Sequence, residues 1–187
     1  MNNALRLQAA YVGGNTKRWH AEDILGEQRV SAHTWGMTAI YLILCKKPEL
    51  DVLRALVFHD APEPFSGDIP WFARKAHQGA ADADSEISGR WFQAVGTGGD
   101  PSPKYWTPEE YWWIKMLDAA EAYFFAKQQL AMGNKLMEGP CLELVSRLEA
   151  ARQAEHAPAD AFRIIQDIFD TKIGRRLTRD ISELEVM

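Results

Sequence analysis

An all-α fold is what this sequence predicts, and three observations predict it. Apolar residues recur at helical spacing in most segments, and no run alternates apolar and polar residues as a half-buried strand does. Residues that start and stop helices also punctuate the periodic stretches. With 187 residues, 47% of them hydrophobic and including seven Trp and eight Phe, the chain can bury a substantial core. One domain spanning residues 1–187 is expected. Its motif-bearing part covers about 5–130, and further helices lie within about 140–175.

Leu5, Ala9 and Val12 make one face of a first helix that Gly13-Gly14 ends. Residues 15–28 are polar and irregular, and they carry Lys17-Arg18-Trp19-His20. A second helix runs from about Ser31 to Cys45, with Met37, Ile40, Tyr41 and Leu44 on one stripe, until Pro48 breaks the pattern. A third, from about Asp51 to Asp60, buries Leu53, Leu56 and Val57. Prolines 62, 64 and 70 then force a turn-rich loop, because each lacks an N–H and restricts the residue before it.

Residues 84–95 read as a short helix, followed by the Gly/Pro-rich connector GTGGDPSPKYW, which lacks the Lys-Ser/Thr of a phosphate-binding loop. Thr107-Pro108-Glu109-Glu110 is a helix start in which Thr caps, Pro takes the first position and Glu110 completes a capping box. The long helix it begins reaches about Met132, before Gly133-Asn134. Two amphipathic helices follow near 140–155 and 159–172, the last with Phe162, Ile165, Ile168 and Phe169 on its apolar face.

The formal charge of −5 argues against duplex nucleic acid as a partner, since such binding draws its affinity from neutralised phosphates. A small anion held by locally concentrated cations or a metal is compatible with it. Cys45 and Cys141 form no CxxC pattern, which suggests a reducing compartment without a disulfide framework. The first residues lack a basic head followed by an apolar run, and the apolar stretch from Trp35 to Cys45 is too short and mixed to span a bilayer. A soluble cytoplasmic protein without membrane contact is expected. Trp106, Trp112 and Trp113 form a Trp-rich patch beyond the needs of such a core, and on that ground a homo-oligomer is expected.

The adjacent pair His59-Asp60 ends an apolar helix, where two polar side chains are costly to bury without partners. His33 lies on the inward stripe of its own helix, and Asp118 lines up with Ile114, Glu121 and Phe125. Three helices thus aim a histidine or carboxylate inward. Imidazole and carboxylate together suit a divalent cation with an open coordination position. A single inward His or Asp is more often a satisfied core residue, and spacing alone does not make four of them converge. His77 and His156 read as surface residues.

The series His33, His59-Asp60, Asp118 resembles the H…HD…D signature of HD-domain phosphohydrolases. The segment from His59 to Pro70 resembles the HDxxE(x)4DxP stretch of the YfbR-like 5′-deoxynucleotidases. Arg18-Trp19 matches that group's RW pair, and Lys115-Met116-Leu117-Asp118 its KxxD element. Phage-type dATP triphosphohydrolases share the framework, and Arg18-Trp19-His20 is similar to their short form. The resemblance implies an HD-domain helical bundle with one divalent ion (Co, Mn, Zn, Fe, Ni or Mg) held by His33, His59, Asp60 and Asp118. It implies Glu63 as the group that positions or deprotonates the attacking water, with Asp68 assisting. It places Arg18 and Lys115 on phosphate oxygens and Trp19 against the deoxyribose. His20 can touch the base, and Arg74 or Lys75 the more distal phosphates. Ala32 stands where relatives often carry Glu, and Thr34 replaces a common Ser, so the second shell of His33 departs from the pattern.

The expected substrate is therefore a small deoxynucleotide, either a 5′-monophosphate or a triphosphate. Arg18-Trp19-His20 and Arg74-Lys75 tilt the reading toward triphosphates, with an adenine preference. Two alternatives stay open: a nucleotide sensor that holds the ion without turnover, and a purely structural bundle. The first leaves Glu63 and Asp68 without purpose, and the second leaves inward His33 and Asp118 as an unexplained cost.

Overall fold

Helix α1 spans Asn3–Gly13, capped by the Asn2 side chain on the Leu5 amide. These coordinates are a computed structural model that describes residues 2–67, 69, 76–97 and 106–172. A two-residue antiparallel pair follows, β1 (Lys17–Arg18) with β2 (Gln28–Arg29), in the register Lys17↔Arg29 and Arg18↔Gln28. Helices α2 (Val30–Leu44), α3 (Leu50–Phe58), the single turn α4 (Glu63–Ser66) and α5 (Gln78–Val95) come next. Then follow α6 (Pro108–Ala131), a 3-10 turn at Lys135–Met137, α7 (Glu138–Arg152) and α8 (Ala161–Asp170).

α6 is the organising element. It is apolar on most of its circumference, with Trp112, Trp113, Met116, Leu117, Ala120 and Tyr123 all buried, so it must be covered on several sides. α2, α3 and α7 supply that cover, and α8 packs on α7. The expected capping box at its start is present: the Thr107 hydroxyl accepts from the Glu110 amide, and the Glu110 carboxylate accepts from the Thr107 amide. A second, smaller apolar cluster of Ala61, Trp91, Phe92 and Val95 joins α1 and α5 to the turn after α3. Gly13 is buried in that joint, where a Cβ would come within 2.7 Å of the Ala61 carbonyl oxygen. Its role is close approach, in addition to its place at the helix end.

Several expectations need correction. Residues 15–28 are not wholly irregular, because their ends pair as β1 and β2; two-residue strands are too short for alternation to show. α5 begins at Gln78 rather than 84. In α1, Leu5 and Val12 face solvent, and Gly13 is the buried position. In α3, Val57 is exposed while Val52, Ala55 and Leu56 are buried. In α8, Phe162 is 64% exposed under the Arg152 guanidinium, and Ile164 joins Ile165 and Ile168 inside. Trp112 and Trp113 are buried in the main core, stacked edge-on at 5.0 Å, and Trp106 is half-buried. The Trp-rich patch therefore fills the interior and offers no argument for assembly.

Candidate metal and phosphate site

His33 projects from α2 and is fully buried. Its Nδ1 lies 2.5 Å from Glu121 Oε2 on α6, and since a carboxylate only accepts, Nδ1 carries the proton. Its Nε2 then presents a lone pair, 3.4 Å from Asp118 Oδ1 and 3.7 Å from Asp60 Oδ2. His59 caps the C-terminus of α3, and its Nδ1 donates to the Leu56 carbonyl at 3.1 Å, which fixes the same tautomer. Both Nε2 atoms are buried without a hydrogen-bond partner among the described residues. One ligand atom from each of His33, His59 and Asp60 falls within 4.8 Å of the others, and the two imidazoles sit 5.6 Å apart. Two bare imidazole lone pairs beside a carboxylate are the donor set of a divalent transition-metal site. Asp118 adjoins this group through His33.

The charge balance is tight. Arg18 at the end of β1 reaches Asp60 Oδ2 at 2.5 Å and Asp118 Oδ1 at 3.7 Å, and Arg147 from α7 holds Asp118 Oδ2 at 2.9 Å. Burial pushes the Asp60 carboxyl up, but His59, Arg18 and His33 overcome it and hold it well below the usual carboxylate range. Asp118 behaves alike: burial opposes ionisation, and His33, Arg147 and Arg18 outweigh it. For Arg18, burial is offset by Asp60, Asp118, Glu63 and Glu121, and the guanidinium stays charged. Burial and Arg18 pull the His33 imidazole down, and the neighbouring carboxylates of Asp118 and Glu121 lift it above the ordinary 6.5.

His59, Asp60 and Asp118, but not His33, lie on the wall of a cavity of about 710 Å³ between the main core and the α4–α5 layer. The volume falls in the range of small-ligand pockets. Arg18, Trp19, His20, Glu63, Lys115 and Asp118 all line it, as do His59 and Asp60. Glu63 is buried at the first position of α4, while His20 and Lys115 are exposed at the cavity wall. Trp19 stands at φ 62°, the one non-glycine residue with positive φ among those described. Such a backbone costs a bulky residue about 1–3 kcal/mol and persists only where the surroundings dictate it. Here they do: the indole stacks on Phe125 at 5.4 Å and donates to Gln28. The loop behind it is clamped to α6 by reciprocal bonds between Gln129 and the Leu25 backbone, and by Asn134 on the Asp23 carbonyl. Asp68, Arg74 and Lys75 lie outside the described residues.

The profile of the HD domain family matches residues 15–157. The chain belongs to the HD-domain family. Membership supports a metal-dependent phosphohydrolase, and the match runs past the motif-bearing segment into α7. Among solved structures, an HD-domain phosphohydrolase from Listeria innocua is 15% identical with a TM-score of 0.66, covering 92% of each chain. A protein from Pyrococcus horikoshii OT3 is 19% identical at TM-score 0.65, covering 89% of this chain and 96% of its own. The HD phosphohydrolase DatZ of cyanophage S-2L, solved with dA and one catalytic Zn²⁺ ion, is 18% identical at TM-score 0.56, covering 91% and 98%. These solved neighbours share the fold. No curated protein matches the chain in sequence. Among the described residues no helix is long and apolar enough to cross a membrane.

Three residues of this HD-domain site received no role from the sequence. Glu121 was visible on the inward line of Asp118 but carried no assigned role. Gln28 sits in a segment read as irregular. Arg147 falls between the buried Leu144 and Leu148 on α7, and no local signal brings it to Asp118.

Proposed function

We propose that this HD-domain hydrolase cleaves 2′-deoxynucleoside 5′-phosphates, with His33, His59, Asp60 and Asp118 holding one divalent ion. The observation that carries the reading is the pair of buried Nε2 atoms, of His33 and His59, without a hydrogen-bond partner among the described residues, beside Asp60 and Asp118; His59 and both carboxylates line the cavity. Such orphaned acceptors are costly unless a ligand takes them up. The donor set fits the group: two imidazoles whose Nδ1 atoms are engaged elsewhere, leaving Nε2 toward the site, and two ionised carboxylates.

A divalent cation held there supplies Lewis-acid polarisation of a phosphoryl oxygen and an acidified water. The chain's own residues do the rest. Glu63, buried at the cavity wall, takes the proton of the attacking water and returns it to the leaving 5′-oxygen. Arg18 offers a planar fork to the phosphoryl oxygens, and Lys115 adds a point charge from the same wall. Trp19, rigid in its left-handed conformation, packs against the sugar and leaves no room for a 2′-hydroxyl. The solved DatZ neighbour with dA supports a deoxynucleoside in the pocket. Asp68, Arg74 and Lys75 are proposed to assist from the adjoining segment, and the two arginines on Asp118, with Lys115, favour a polyphosphate over a single phosphate.

A hydrolysis panel tests this. Chelator-stripped protein, reloaded with Co, Mn, Zn or Mg, is offered each deoxynucleoside mono- and triphosphate with the matching ribonucleotides, and products are separated by chromatography. We expect turnover of deoxy substrates alone, abolished in Asp60→Ala, with triphosphate as the released product. One tightly bound ion per chain without turnover on any substrate defeats the catalytic reading in favour of a nucleotide sensor.

A further inference from the structure

A single hydrogen-bonded chain runs from the cavity wall to His33, and its polarity admits one arrangement. The Trp19 indole N–H donates to Gln28 Oε1 at 2.7 Å. An indole N–H can only donate, so the Gln28 amide must turn its NH2 the other way. That NH2 donates to Glu121 Oε1 at 2.7 Å, and Oε2 of the same carboxylate receives the His33 Nδ1 proton. Gln28, Glu121 and His33 are 5%, 8% and 0% exposed. The proposed mechanism uses Trp19 at one end and His33 at the other, and it gives the two residues between them no part.

The fold holds each link in place. Gln28 is fixed because β2 pairs it with Arg18, next to Trp19. Glu121 lies close against α2 because position 36 is glycine, where a Cβ would stand 2.6 Å from Glu121 Cγ. Trp19 is pinned by its stack on Phe125 and by its left-handed backbone.

We infer that Gln28 and Glu121 are positioning residues that join the substrate wall at Trp19 to the ligand His33, so that a nucleoside against Trp19 and a cation on His33 raise each other's affinity. The inference rests on His33 being a metal ligand. Glu121 keeps the proton on Nδ1 and polarises the ring, which strengthens Nε2 as a donor to a cation. Gln28 orders that carboxylate, and Trp19 orders Gln28. Restraint of the indole by a bound nucleoside therefore passes along fixed dipoles to the imidazole. Thermodynamic linkage makes the effect equal in both directions.

The test titrates cobalt(II) into chelator-stripped protein, followed by visible absorption, with and without 2′-deoxyadenosine. In the unaltered protein, one cobalt binds and the nucleoside tightens it. Trp19→Phe keeps an aromatic ring but removes the donor. It should weaken cobalt about 2- to 10-fold, the worth of one neutral hydrogen bond, and abolish the nucleoside's effect. Glu121→Gln keeps the shape and should weaken cobalt about 10- to 100-fold and shift the absorption bands. The double variant should be no weaker than Glu121→Gln alone, because both break one chain. Unchanged cobalt affinity and spectra in Trp19→Phe and Gln28→Leu, with helical circular dichroism intact, overturn the inference, as do strictly additive losses. Failure of the unaltered protein to bind cobalt overturns the metal reading as well, and so separates the two failures.

Discussion

Gly13→Ala is a one-carbon perturbation with a calculable consequence. The new Cβ would lie 2.7 Å from the Ala61 carbonyl oxygen and 2.9 Å from Ala61 Cα and Cβ. Ordinary contact begins near 3.4 Å, so the oxygen must recede by 0.7 Å. The obstacle is backbone and cannot swing aside as a flexible side chain would. Overpacking of this kind costs about 1–3 kcal/mol. Alanine's better helix propensity returns about 0.5–1 kcal/mol. A net loss of up to about 2.5 kcal/mol lowers Tm by up to about 10 °C in a domain of this size. Ala61 directly follows His59-Asp60, so the displacement also reaches the site, and bound metal should weaken in the same variant. The assay is a thermal melt with a cobalt titration beside it. Gly89→Ala, in the middle of α5 with nothing within 4 Å of its Cβ, is the control and should gain about 0.4–1 kcal/mol. If Gly13→Ala melts at or above the unaltered protein while the control behaves as stated, the argument from close approach of α1 to Ala61 is wrong.

Metal uptake should rise with pH. Against burial and Arg18, the carboxylates of Asp118 and Glu121 lift the proton affinity of His33 above 6.5, and a proton on Nε2 competes with a cation, so cobalt affinity measured from pH 6 to 8.5 should climb and then level. A flat profile contradicts this. Without metal, the depressed Asp60 and Asp118 carboxyls stabilise the fold above the unfolded value of 3.8, and that contribution disappears as pH falls through their lower folded values; melts between pH 5 and 2 of the stripped protein check it. Arg147→Ala should weaken cobalt about 10-fold through Asp118, yet cost under about 1 kcal/mol of stability, because the pair is partly exposed. A large loss in Tm without change in metal affinity would reverse that assignment. Ile164→Ala should cost about 2–5 kcal/mol by urea denaturation, against about 0.5–1 for Phe162→Ala, whose ring lies in solvent under Arg152.

The legible and illegible parts of the chain divide along physical lines. α2 and α8 announced themselves because a helix with a buried face must repeat apolar residues at its own period. Thr107-Glu110 was readable because both halves of a capping box lie within four residues. Face assignment was weaker where both sides of a short helix are apolar. Val57 and Phe162 fit a stripe as well as Val52 and Ile164 do, and only the neighbouring helix chooses between them. Trp112 and Trp113 looked like surplus until α6 proved to be enclosed on several sides.

For the site, the sequence by itself determined the chemical inventory. His33, His59-Asp60 and Asp118 at those spacings, with Arg18-Trp19 upstream, carry the family resemblance because metal and phosphate chemistry demands those side chains. What only the tertiary structure decided is how each group is held. The tautomers of His33 and His59 depend on Glu121 and on the Leu56 carbonyl. The charge on Asp118 is balanced by Arg147, 29 residues away on another helix. The strained backbone of Trp19 is held by Phe125 and Gln28. Local spacing fixes which face a residue occupies, whereas hydrogen bonds between elements depend on the packing of whole helices, which no short window of sequence contains.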